Sequence, residues 1–291
     1  MDSRLPKSIR IGTCSWKYDS WAGLVYSENF GENYLAEYAK HYNLVEIDQW
    51  FWSLFGDKVV MPKPEVVAEY VRAVPKDFRF SIKVPNAITL THYHGKGPLV
   101  VNPHFLSNDL MEVFLKIVEP MAKQINSLLF QFEYLNKQKM PNQMIFQDRL
   151  QEFCRNLRPG YHYCVETRNQ NFLNKPYFEF LQAMKLSHVF LQGYWMPSIF
   201  GVYGHFKEYI QKHTVIRLHG PDRKGIEQQT KNQWDKIVDP RDGELHSLNN
   251  MINSLLSKRV KVTLSVNNHY EGCAPMTIDR FLKIFLGGPF I

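Results

Sequence analysis

No run of 18 or more apolar residues occurs in this sequence of 291 residues, so no segment reads as a membrane-spanning helix. Its start lacks the basic-then-apolar order of a secretory signal. The two absences together lead to the expectation of a soluble cytoplasmic protein that does not contact a membrane. Cysteine is scarce. Cys14, Cys154, Cys164 and Cys273 show no CxxC spacing, which excludes a disulfide scaffold or a cysteine-rich zinc module and predicts reduced thiols. Repeats, low-complexity tracts and linkers are also lacking, and the length suits one domain over residues 1–291. Acidic residues are in deficit: the net charge is +7 and the pI about 9.1. This favours anionic partners, but the charge is spread along the chain and falls short of a nucleic-acid signature.

What the chain does contain is a unit repeated eight times in pattern, a short apolar run ending in polar residues followed by a segment of helical period. The runs centre on Arg10–Cys14, Leu44–Asp48, Phe78–Val84, Leu128–Glu133, Tyr161–Arg168, Val189–Tyr194, Val215–His219 and Lys261–Asn267. Eight such units predict an α/β fold, a single (β/α)8 TIM-type barrel, whose chemistry sits at the C-terminal ends of the strands. Apolar residues at i, i+3, i+4 and i+7 mark the helices. The sets are Leu35/Tyr38/Ala39/Tyr42, Val67/Tyr70/Val71/Val74, Leu110/Val113/Phe114/Ile117, Leu150/Phe153/Cys154/Leu157, Tyr177/Phe180/Leu181/Met184, Phe206/Tyr209/Ile210/His213, Leu248/Met251/Ile252/Leu255 and Ile278/Phe281/Leu282/Phe285. Pro64 and Pro275 suit first turns, and Gly287 and Gly288 suit a C-terminal stop. Two long irregular stretches, Pro85–Asn108 and Gly220–Gly243, follow strands three and seven and are expected as ligand-contacting loops or lids.

Alternation along each strand assigns the interior. With Phe78, Phe80 and Ile82 packed outward, Arg79, Ser81 and Lys83 face the barrel axis. The same rule turns Glu46 and Asp48, Gln131 and Glu133, Glu166 and Arg168, Arg217 and His219, and Thr263, Ser265 and Asn267 inward. Ionised groups there lose hydration at a cost of several kcal/mol each unless paired, so a structural ion network and a ligand site are both consistent with the set.

Several segments carry a family resemblance. GTCSWKYDSWAG at 12–23, VEIDQWFW at 45–52, FRFSIKVP at 78–85, LLFQFE at 128–133, VETRNQNFL at 165–173, VIRLHG at 215–220 and VNNHYEGCAP at 266–275 fall in the order seen in the DUF72, or YecE-like, family. The resemblance implies a TIM-type barrel with a polar pocket at the strand C-termini, distantly similar to the xylose isomerase and endonuclease IV barrels. It implies no established reaction. Family-typical polar positions match Glu46, Lys83, Gln131, Glu166, Arg168, Arg217, His219, Asn267 and Asn268. Departures are Asp48 in place of the common Asn, Thr167 and Asn169 around Arg168, and Gln192 where an aspartate often ends the sixth strand.

Chemically, Glu46 and Glu166 form a candidate acid/base pair, provided their surroundings move their proton affinities apart. Arg168, Arg217 and Lys83 are candidate anion ligands, through bidentate guanidinium bonds and a point-charge ammonium. The expected catalytic set is Glu46, Glu166, Arg168, Arg217 and His219. The expected ligand-binding set is Trp16, Asp48, Lys83, Gln131, Asn267 and Asn268. No cofactor and no metal are expected, since His219 is the one histidine clearly at a strand end; Glu46, Asp48 and Glu133 are the oxygens that would hold Mg2+. Cys14 and Cys273 are expected as neighbours, with His219 or His269 available to lower a thiol pKa, set against the ordinary role of cysteine as a small buried hydrophobe. Trp16, Tyr18 and Trp21, with Trp50 and Trp52, offer flat surfaces at the same mouth, packing being the stronger expectation for Trp50 and Trp52. Three functional classes follow: an acid/base enzyme of hydrolase, lyase or isomerase type on a phosphorylated or anionic small molecule; a nucleic-acid-binding or processing protein; and a ligand-binding barrel without chemistry. The sequence leaves the oligomeric state open.

Overall fold

The computed structural model describes residues 4–27, 31, 33–95 and 97–287. Eight parallel strands close into a barrel: Ile9–Thr13, Leu44–Ile47, Arg79–Lys83, Ile125–Gln131, Tyr163–Glu166, Ser187–Gly193, His213–Gly220 and Lys261–Val266. Each pairs with its neighbours in sequence, and the first closes the ring on the eighth with Ile9 opposite Val262 and Thr13 opposite Val266. An all-parallel barrel must be covered on its outer face, and a helix after each strand supplies the cover.

The outward-facing residues explain why these runs fold as strands. Ile9 and Ile11, Val45 and Ile47, Phe80 and Ile82, Leu128 and Phe130, Ile216 and Leu218, and Val262 and Leu264 are buried against helices such as Tyr34–His41, Gln143–Arg155, Asp242–Ser257 and Ala274–Phe285. Pro64 and Pro275 stand in first turns, where a missing N–H removes no helical bond. Gly287 takes the left-handed conformation that ends the last helix, and Gly288 lies outside the described residues.

Three expectations are corrected. The set at Phe206–His213 does not form one helix: the sixth helix is Ile199–Phe206, burying Ile199, Val202 and Tyr203, a short 3-10 turn Lys207–Tyr209 follows it, and His213 opens the seventh strand. The third helix, Asn108–Val118, buries Met111, Phe114, Leu115 and Val118 and leaves Val113 exposed, because its apolar arc is wide enough to hold two overlapping i, i+3, i+4, i+7 sets. The stretches after strands three and seven are not wholly irregular, since each contains a short helix, Asn86–Thr89 and Arg223–Thr230.

Inside the barrel, Leu129, Cys164, Val189 and Val215 form a small apolar layer. Among the described residues no helix is long and apolar enough to cross a membrane.

Candidate functional site

The C-terminal mouth is organised around Arg217 on the seventh strand, whose side chain is 2% exposed. Its Nε and Nη2 donate to the two carboxylate oxygens of Glu46 at 2.9 and 2.6 Å. Nη1 donates to Glu166 Oε2 at 2.5 Å and Gln131 Oε1 at 3.2 Å. Strands two, four, five and seven thus meet on one guanidinium, and the fork geometry that makes arginine a good anion ligand is taken up by protein carboxylates. The guanidinium expected to meet an anionic ligand has four of its donors on Glu46, Glu166 and Gln131. Arg168 Nη2 lies 2.6 Å from Glu166 Oε1. Its guanidinium sits over the Tyr194 ring, 4.8 Å from the centroid.

These contacts drive the two glutamates apart in proton affinity. Burial opposes the charge of Glu166, but Arg168 and Arg217 outweigh it and hold the carboxyl down at about 2. Burial raises Glu46 above its ordinary value in spite of Arg217. Such a divergence is the condition on which an acid/base role for the pair was set, yet neither side chain is left free: Glu166 is held by Arg168 and Arg217, and Glu46 is bound bidentately by Arg217 and fully buried.

Lys83 and Asp48 are different. Lys83 is 8% exposed, and among the described residues no carboxylate oxygen comes within 4.0 Å of its ammonium. It faces the Phe51 ring instead, 4.0 Å from the centroid. Burial and then the repulsion of Arg217 lower its pKa. Asp48, half-buried, has no ion-pair partner within 4.0 Å among the described residues, and burial raises its pKa against the pull of Lys83 and Arg217. Tyr18 adds its hydroxyl beside Ser15, Asn268 and Asp48.

His219 is buried, with Nδ1 3.1 Å from Tyr194 Oη and Nε2 3.7 Å from Cys14 Sγ. Burial, then Arg217, Arg168 and Lys83, push its pKa far down, so the ring is neutral. Burial and then Glu46 push the Cys14 thiol up. A neutral imidazole beside a protonated thiol corrects the suggestion that His219 activates Cys14. Cys273 is likewise pushed up, to about 12, by burial. Gly220 fixes the backbone next to His219: its φ is +73°, and a Cβ there would come within 2.4 Å of the His269 carbonyl oxygen.

Other expected residues turn to scaffolding. Asn268 Oδ1 accepts from Ala274 N at 2.9 Å, starting the last helix, and its buried Nδ2 has no partner among the described residues. Asn267 Oδ1 accepts from His269 N at 3.0 Å. Glu133 pairs with Lys139 outside the barrel axis. Glu46, Asp48 and Glu133 therefore do not converge as an Mg2+ set, and among the described residues no group of three His, Cys, Asp or Glu does. Gln192 accepts from Ile199 N at 3.0 Å and donates to Glu244, fixing the sixth helix. Asn169 exchanges two hydrogen bonds with the backbone of Leu135, joining the loops after strands four and five.

The aromatic expectations divide. Trp21 is fully buried and donates to the Trp234 carbonyl, clasping the loop after strand one to the loop after strand seven. Trp16 packs edge-on against Tyr70 at 5.2 Å and borders a separate groove of about 310 Å³ with Lys17 and Gln49. Trp50 stacks on the same tyrosine, whereas Trp52 is 61% exposed, the reverse of the packing expected for it. Tyr194 and Phe51 were missed as site residues. Tyr194 ends a strand run, and that position alone could have flagged it.

The sequence profile of the family described as "Protein of unknown function DUF72" matches residues 10–287. The chain belongs to the DUF72 family. The UPF0759 protein YecE of Escherichia coli strain K12 is 30% identical over 169 residues, 57% of this chain and 51% of that protein. YecE of E. coli O157:H7 matches to the same extent, so the chain spans about half the length of the curated relatives it matches. A crystal structure of a DUF72 family protein from Enterococcus faecalis V583 superposes with a TM-score of 0.68 at 21% identity, covering 97% of both chains. Another, from Thermotoga maritima MSB8, gives 0.63 at 20% identity over 96% of this chain and 98% of that one. At such identities these DUF72 structures establish the shared barrel fold and nothing finer.

Proposed function

We propose that this DUF72 chain is an enzyme acting on a phosphorylated or otherwise anionic small molecule at the C-terminal mouth of the barrel. The observation that carries the reading is Lys83, a nearly buried ammonium without a carboxylate partner among the described residues, in a mouth where four of the five Arg217 donors are taken by protein groups. Burying an unpaired charge is costly, and a ligand anion offsets that cost. In this reading Lys83 and Arg168 hold the anionic group, and Asp48, whose proton affinity burial raises, moves a proton. Glu46, Glu166, Arg217 and Gln131 keep Arg168 and the strand ends in register.

The test is a panel of phosphorylated and carboxylated small molecules incubated with the protein and assayed for conversion by mass spectrometry. For a converted compound, Lys83→Gln is expected to raise KM about tenfold or more, and Asp48→Asn to lower kcat by roughly 10²–10⁴, the usual range for a proton-transfer group. Undiminished turnover by Asp48→Asn would remove Asp48 from the chemistry. Binding without conversion across the panel would support a non-catalytic barrel. A second reading, single-stranded nucleic-acid binding, draws on the exposed rings of Trp52, Tyr134 and Trp195 in loops of the same face. Steep weakening of oligonucleotide affinity with salt would favour it.

A further inference from the structure

The opposite, N-terminal mouth holds a cavity of about 230 Å³ that the reading above does not use. Lys7, Arg10, Arg79 and Lys261 line it together with His162 and His213, and among the described residues no aspartate or glutamate does. Alternation explains the placement: Arg10, Arg79, His213 and Lys261 occupy the first inward-facing positions of strands one, three, seven and eight. Among the described residues, none of the four cations has a carboxylate oxygen within 4.0 Å. Arg79 is anchored by Nη1 to the carbonyls of Lys76 and Phe78 at 3.0 and 2.9 Å, which holds the guanidinium in place without neutralising it.

The cavity has a built polar floor. Thr263 Oγ1 accepts from Asn126 Nδ2 at 2.7 Å and lies 2.9 Å from His213 Nε2, and the His162 and His213 rings stand 4.9 Å apart. The charges act on one another: burial and then Arg79 lower the pKa of Arg10, with Asp77 opposing from beyond ion-pair distance, and burial followed by Lys261 lowers that of His162. In barrels of this kind the N-terminal face ordinarily serves stability. Four cations without a carboxylate oxygen in ion-pair reach among the described residues work against stability around one concavity, and a cleft lined by one sign of charge concentrates counter-ions.

We propose that this mouth is a second binding site, for the phosphate group of a small molecule, either free phosphate or a phosphate monoester. Arg10 and Arg79 supply fork donors, Lys7 and Lys261 point charges, and the neutral histidines hydrogen-bonding partners. Arg79 and Lys83 stand at opposite ends of the third strand, four residues apart, so the two mouths are distinct sites that load independently.

The experiment titrates the full chain with inorganic phosphate at constant ionic strength balanced with chloride, following the His162 and His213 imidazole resonances by NMR. Both are expected to shift saturably. Arg10→Gln with Lys261→Gln should weaken the Kd at least tenfold, and Lys261→Gln alone, at an exposed side chain, about threefold or more. Lys83→Gln should change it less than twofold. With its cations removed, the double variant should unfold in chloride at a temperature no lower than the parent. A parallel titration with phenyl phosphate identifies the source: tighter binding than inorganic phosphate supports a monoester, equal or weaker binding supports free phosphate. The proposal is overturned if the imidazoles show no saturable shift, if Lys261→Gln and the double variant bind as the parent does, if Lys83→Gln abolishes the shift, or if only a single-stranded oligonucleotide produces it.

Discussion

Arg217 shows how one side chain organises the interior of this barrel. Four of its five N–H donors reach three other strands, and two buried carboxylates depend on it for their charge balance. Removing one partner of such a group leaves an uncompensated buried charge, which costs about 3–5 kcal/mol. Arg217→Gln is therefore expected to lower the urea unfolding free energy by that order, whereas Lys83→Gln, which removes an unpaired ammonium, should leave stability unchanged or raise it. Equal losses in the two variants would contradict the division between a positioning ion network and an uncommitted lysine. The inward positions of Glu46, Gln131, Glu166, Arg217 and Lys83 were legible in the sequence, because alternation needs only a correct strand and a correct parity. Which cation is engaged and which is free was not legible, since that depends on how far each side chain reaches across the barrel.

At the scale of elements, the strands and seven of the eight helices could be read from periodicity alone, as burial of the outer barrel face leaves a strong apolar signal. The sixth failed because Phe206 ends the helix, Tyr209 lies in the short 3-10 turn Lys207–Tyr209 after it, and with the half-buried Ile210 they reproduce helical spacing across the helix end. The third succeeded in place and failed in face, and the choice is measurable. Met111 is buried and Val113 is 47% exposed, so Met111→Ala is expected to cost about 2–4 kcal/mol and Val113→Ala well under 1 kcal/mol in chemical denaturation. Loop geometry was not accessible from periodicity, since loops are held by single polar contacts. Asn86, for example, accepts from Ser53 N, Ser53 Oγ and Leu54 N, joining the loops after strands two and three. Gly220 belongs to the same scale. Gly220→Ala forces a Cβ against the His269 carbonyl at a positive φ, so it should destabilise the protein and alter the His219 imidazole resonances together.

For the whole molecule, acid stability follows from which groups are buried in which protonation state. His188 is fully buried beside Tyr177, and burial lowers its pKa to about 3; burial, His162 and Lys261 do the same for His213. In the unfolded chain both titrate near 6.5. Between those values the unfolded state binds more protons, so stability present above about 6.5 is lost as pH falls toward 3. Glu166, held at about 2 against an ordinary value near 4.5, contributes stability that is present above that ordinary value and lost as pH falls through 2. The two windows are offset. Urea midpoints measured from pH 7 to pH 2 should fall first through the histidine window and more steeply below 4.5, where both contribute. His188→Gln should flatten the limb between 6.5 and 4.5, and Glu166→Gln, though less stable at pH 7, should flatten the limb below 4.5 and leave the upper one unchanged. A parent midpoint that stays level from 6.5 to 4.5 would mean that the buried imidazoles are protonated without unfolding the barrel, contrary to the packing of His188 against Tyr177 and Phe178.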